Sequence, residues 1–92
     1  NKLLPNDHPS TRRVAKVAKQ LIDRNRDSIT TKADWAVSVI DDENTMNAFV
    51  LPSGNIFVFT GLLKLVSNDD QLAAVLAHEI SHAVLLHGLE MV

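Results

Sequence analysis

Between Leu72 and Leu86 every residue is apolar except His78, Glu79, Ser81 and His82, and those four fall inside one pentad, His78-Glu79-Ile80-Ser81-His82. An apolar run of this length reads as a helix buried on all sides. Residues four apart on a helix sit only ~40° apart around the axis and ~6 Å apart along it. Two imidazoles at that spacing converge on one Zn²⁺, at about 2.0–2.1 Å from each nitrogen. Glu79 lies too far around the helix to be a ligand and is placed to hold a water beside the ion and take its proton. Two histidines and a carboxylate inside an apolar helix are costly without a partner, and a metal ion supplies one.

A His-x-x-x-His pair also arises by chance, and core histidines are often satisfied by ordinary hydrogen bonds. The intervening Glu79 together with the apolar flanks tips the reading to a metal site. With no cysteine in the 92 residues, zinc must be held by histidine and carboxylate, and no disulfide framework indicates a compartment.

The length allows one domain at most, and 46% hydrophobic residues suffice for a packed core. Asn1 at the start reads as the edge of a trimmed segment, and no leader or apolar run of about 18 residues lies within the chain. The net charge of −2 hides an asymmetry: residues 1–32 carry +5 and residues 33–92 carry −7. A basic amphipathic segment can lie on anionic lipid, although such a face is more often simply solvated. No aromatic residue is interleaved with these charges, which removes the stacking platform that single-stranded nucleic acid needs. Nucleic acid is therefore not an expected partner.

The spacing of Val14, Val17, Ala18, Leu21 and Ile22 predicts a first helix from Pro9 to about Asp23, with Asp7 or His8 at its cap. The polar stretch from Asn25 to Lys32 reads as a loop. Trp35 to Ile40 alternates as a strand, with Trp35, Val37 and Val39 on one face. Asp41 to Asn44 is a turn. Met46–Leu51 and Ile56–Thr60 form a hairpin around a four-residue loop, Pro52-Ser53-Gly54-Asn55. Both faces of Ile56 to Phe59 are apolar, so this strand is expected to be central and covered on both sides. Leu62 to Val66 makes a short helical turn. The last helix starts at Ser67 or Asn68, where Asn68 and Gln71 approximate a capping box, and runs to at least His87.

A catalytic zinc normally takes three protein ligands and keeps one position open. His87 lies ~140° around and ~7.5 Å along the helix from His82, and Glu90 lies ~12 Å along it. Neither reaches an ion between His78 and His82. Asp41, Asp42 and Glu43 are the remaining candidates within the chain, and the stronger expectation is a third ligand beyond Val92.

The run from Asn47 to Leu63, Asn-Ala-Phe-Val-Leu-Pro-Ser-Gly-Asn-Ile-Phe-Val-Phe-Thr-Gly-Leu-Leu, followed by Gln71 to His82, closely resembles the HtpX-like zinc metallopeptidases. Within them it is most similar to the mitochondrial inner-membrane branch. The similarity is close from about Trp35 to Val92 and looser over the first helix. The resemblance implies an α+β, gluzincin-like fold: an N-terminal helix, a small three-stranded sheet with a hairpin, and a long buried active-site helix. It makes residues 1–92 the N-terminal part of a catalytic domain. It implies that His78 and His82 bind zinc, that Glu79 is the catalytic acid/base, and that the third ligand is a Glu on a later helix outside the chain.

By the same resemblance the substrate is a protein or peptide, membrane-associated in the case of this branch. The chain would be attached to the membrane by segments outside it and located at the mitochondrial inner membrane. A bacterial inner-membrane or periplasmic location and a homo-oligomer are also compatible. In similar enzymes a strand of this hairpin region pairs with the extended peptide, and that resemblance makes Asn47, Ala48 and Phe49 candidate substrate contacts, although such residues are more often ordinary strand and core positions. The expected activity is zinc-dependent endoproteolysis, with the isolated segment incomplete and inactive. Two other readings stand beside it: a non-catalytic metal-binding or protein-interaction domain derived from such a peptidase, which would have no need of Glu79, and a purely structural α+β module with a buried histidine pair.

Overall fold

The computed structural model describes residues 2–24, 35–51 and 53–87, with side chains as far as His82. The elements, in order, are β1 (Lys2–Leu3), α1 (Pro9–Arg24), β2 (Ala36–Asp41), β3 (Ala48–Val50), β4 (Asn55–Phe59), α2 (Thr60–Leu65) and α3 (Asp69–His87). The fold class is α+β. The expected loop at Asn25 to Lys32 lies outside the described residues.

Among the described residues the sheet has four strands in the order β1-β2-β4-β3, one more than the three expected. The added strand is β1, whose Lys2 and Leu3 pair antiparallel with Asp41 and Ile40. Two residues are too few to show a period, which is why no pattern announced it. β4 is central as expected, parallel to β2 and antiparallel to β3. The register sets Val39, Val58 and Ala48 in one row and Val37, Ile56 and Val50 in the next. Because side chains alternate across a strand, these six share one face. All but the half-buried Val37 are buried.

α1 lies over β2 and α3 over β3, and the two helices touch each other above that face. Val14, Val17 and Ala18 from α1 and Leu72, Leu76 and Ile80 from α3 complete the core. A fully buried Leu, Ile or Val contributes about 1.5–3 kcal/mol relative to exposure. Thr11 extends the α1 stripe one turn toward the N-terminus and is 3% exposed, with no partner for its hydroxyl among the described residues.

The opposite sheet face departs from expectation. Phe57 and Phe59 are half-buried rather than enclosed. Phe49 stacks on Phe57 with centroids 5.0 Å apart and lies 6.1 Å from Phe59. The aromatic rings thus shield one another, which accounts for an apolar strand face without a second covering layer among the described residues.

The ends of the elements follow local chemistry. His8 caps α1: its Nδ1 accepts the Ser10 N–H at 3.1 Å, and Pro9 opens the helix. At α3 the Asn68 Oδ1 accepts the Gln71 N–H at 2.9 Å. The Gln71 Oε1 reaches back to the Ser67 N–H at 2.6 Å, one residue earlier than a standard box. In the β3–β4 loop Gly54 takes φ 96°, a backbone region that any other residue enters at a cost. An exposed Arg13–Asp69 pair at 2.7 Å links α1 to α3 and adds little stability.

Candidate metal centre

α3 carries the pentad, and its packing decides where the histidines point. Leu72, Leu76 and Ile80, spaced by four, form the buried stripe. His78 and His82 follow by two and so lie on the far side of the helix, about 200° around. Both are exposed, together with Ala74 and Ser81, whereas Glu79 at the flank is half-buried. This corrects the expectation of a helix buried all round. The alanines that made the run look uniformly apolar tolerate exposure, so as far as His82 α3 is buried along one stripe, and the histidines present their rings outward. Among the described residues, therefore, burial of unpaired polar groups is not what argues for a metal.

Geometry argues for it instead. The two imidazole rings have centroids 5.0 Å apart and are tilted 32° to each other. Rings ligating one tetrahedral zinc through nitrogens at about 2.0–2.1 Å have centroids about 5 Å apart. The pair fits two of the positions around such an ion.

Two of the three candidate third ligands within the chain have partners in the loop and on α2. The Asp42 carboxylate accepts the Asn44 N–H at 3.1 Å and the Thr45 hydroxyl at 2.7 Å. Glu43 pairs with Lys64 at 3.0 Å. Asp41 is exposed at the end of β2. Among the described residues no group of three His, Asp or Glu side chains can hold one ion. Among the described residues, Asp41, Asp42 and Glu43 thus do not form such a group with the histidine pair.

Asn47, Ala48 and Phe49 do not converge through their side chains. Ala48 is buried against the core, Phe49 is half-buried on the opposite face, and Asn47 is exposed at the entrance to the strand. What unites them is the edge. Among the described residues β3 ends the sheet, and it packs against α3. The Phe59 N–H donates to the Asn47 carbonyl at 3.1 Å, and the Leu51 N–H to the Asn55 carbonyl at 2.9 Å. Since bonded and unbonded pairs alternate along an antiparallel ladder, Ala48 and Val50 direct their backbone groups away from β4. The outward Ala48 N–H is occupied by the Asn47 Oδ1 at 2.8 Å. The Val50 backbone, which no motif singles out, is thus part of the open edge. The alternation of buried positions was the only sequence signal for it.

The sequence profile of peptidase family M48 matches residues 8–92. The mitochondrial metalloendopeptidase OMA1 of Schizosaccharomyces pombe is 43% identical over 94 aligned positions, covering 100% of this chain and 26% of the relative. The mitochondrial metalloendopeptidase OMA1 of Homo sapiens is 45% identical, covering 84% of this chain and 15% of the relative. The β-barrel assembly-enhancing protease of Escherichia coli is 39% identical over half of the chain and 9% of its own length. The chain spans about a quarter or less of these relatives. The names of the relatives that match most of the chain support a mitochondrial location. With the profile spanning nearly every residue, the pentad helix and the β3–β4 hairpin included, the chain belongs to peptidase family M48.

Proposed function

We propose that residues 1–92 are the N-terminal part of the catalytic domain of a zinc metalloendopeptidase with a gluzincin-like fold. The observation that carries this reading is the outward-facing His78–His82 pair, with rings 5.0 Å apart, on a helix packed against the last strand of the sheet. His78 and His82 hold the ion, and a Glu on a later helix completes the set. Zinc, when bound, supplies Lewis acidity toward a water and the scissile carbonyl.

Glu79 moves the proton. On the flank of the helix, beside the histidine pair, its carboxylate takes a proton from the attacking water as the oxygen adds to the carbonyl carbon. It returns that proton to the leaving nitrogen as the C–N bond breaks. The substrate is an extended polypeptide that adds to the free edge of β3 and bonds to the Ala48 carbonyl and to the Val50 N–H and carbonyl. The Asn47 side chain sits over the one remaining donor at that edge. By kinship with the mitochondrial relatives, the substrates are membrane-associated proteins and the enzyme works at the inner membrane, attached by other segments and compatible with a homo-oligomer.

The test is zinc content and peptide hydrolysis in the longer protein, with wild type compared against Glu79→Gln. Zinc bound in both and hydrolysis only in wild type is the expected result. Equal hydrolysis by the two removes Glu79 from the chemistry.

A further inference from the structure

The chain must pass from β2 to β3 across the end of β4, because β4 lies between them in the sheet. With strands ~4.8 Å apart, that crossing spans about 10 Å. Residues 42–47 are long enough to reach about 20 Å when extended, so the loop has slack to be taken up.

The slack is absorbed at one place. The Asp42 carboxylate folds the loop on itself through the Asn44 N–H and the Thr45 hydroxyl. The Asp42 N–H donates to the Thr60 Oγ1 at 2.9 Å, and the Asp42 carbonyl accepts the Gly61 N–H at 3.1 Å. That bond also satisfies an amide at the start of α2, whose cap residue Phe59 offers no side-chain acceptor. The loop lies so close on Gly61 that a Cβ there would stand 2.6 Å from the Glu43 carbonyl oxygen and would also meet the Thr45 carbonyl. At its far end, the Asn47 carbonyl is held by the Phe59 N–H at 3.1 Å. The crossing is tied to three consecutive residues at the β4–α2 junction, through the backbone N–H of Phe59 and Gly61 and the side-chain hydroxyl of Thr60.

β3 itself is three residues long and, among the described residues, bonded to the sheet on one side only. Its placement against α3 therefore depends on how the chain enters it. We propose that Asp42 and Gly61 are positioning residues of the peptidase site, clamping loop 42–47 so that the free edge of β3 lies at a defined distance from His78, Glu79 and His82. The inference rests on the peptidase reading above. It gives the Asp42 carboxylate a purpose other than metal binding: it acts on the substrate through the strand it positions. Displacements of about 1 Å at a reacting centre can cost about a hundredfold in rate.

The experiment uses the full-length, zinc-loaded protein and two substrates cleaved at the same bond. One is long enough to lie along β3; the other is trimmed to the residues flanking the bond. For Asp42→Ala and Gly61→Ala, the ratio of kcat/KM on the long peptide to that on the short one is expected to fall about tenfold, carried by KM, with zinc content unchanged. Thr45→Val is expected to lower the ratio as well, and Thr45→Ser to restore it, so the Thr45 pair decides the matter if the other two variants do not fold. An unchanged ratio in folded, zinc-loaded variants overturns the inference. Wild-type protein that cleaves neither peptide, or Glu79→Gln that cleaves both, sinks the peptidase reading and this inference with it.

Discussion

The imidazole rings of His78 and His82 stand 5.0 Å apart on the exposed side of α3, while Ile80 between them is 4% exposed and anchors the opposite side in the core. Ile80 thus helps to fix the rotation of the helix that aims the two histidines. Leu76 and Leu72, each 0% exposed, hold the same stripe about one and two turns earlier.

Replacing either histidine removes half of the ligand set this chain supplies. His78→Ala and His82→Ala in the longer protein are each expected to reduce bound zinc to a small fraction of an equivalent, because the remaining donors cannot hold the ion tightly at neutral pH. Metal analysis of the purified variants measures it. Near-stoichiometric zinc in either would place the site elsewhere.

Glu79→Gln keeps the shape but cannot accept a proton. Zinc content is expected to stay at the wild-type level while kcat falls by about 10²–10⁴. Steady-state hydrolysis of a peptide, read beside metal content, separates this outcome from loss of the ion.

Residues 1–92 alone should bind zinc weakly and hydrolyse nothing measurable, since the described residues hold no third donor near the histidine pair. Matched assays of the segment and the longer protein decide this. A fully active segment would contradict the incomplete ligand set.

Thr11 offers a test of the core that leaves the site alone. Its hydroxyl is buried without a partner among the described residues, and valine has nearly the same shape. Thr11→Val is expected to raise stability by about 1 kcal/mol, read as a higher midpoint in denaturant unfolding. A loss of stability would mean the hydroxyl has a partner after all.

Several elements could be read directly from the residues because their signals are local. Pro9 with the Val14–Val17–Ala18 stripe predicts α1, and Asn68 with Gln71 marks the start of α3. The pentad places two imidazoles on one helix face by spacing alone, and spacing also excludes His87 and Glu90 as their partners. Gly54 predicts the turn between β3 and β4 because a positive φ favours glycine.

Tertiary structure decided the rest, for reasons of pairing and packing that no short window contains. A nearly uniform apolar run has no stripe, so which side of α3 meets the core was settled by Leu72, Leu76 and Ile80 docking beside β3 and α1. β1 exists because the edge of β2 accepts Lys2 and Leu3, not because two residues prefer a strand. Asp42 looked like a spare metal ligand until the loop crossing β4 brought Thr45, Thr60 and Gly61 around it. Residue type and spacing determine which groups can do chemistry; only the sheet order determines which of them are left free to do it.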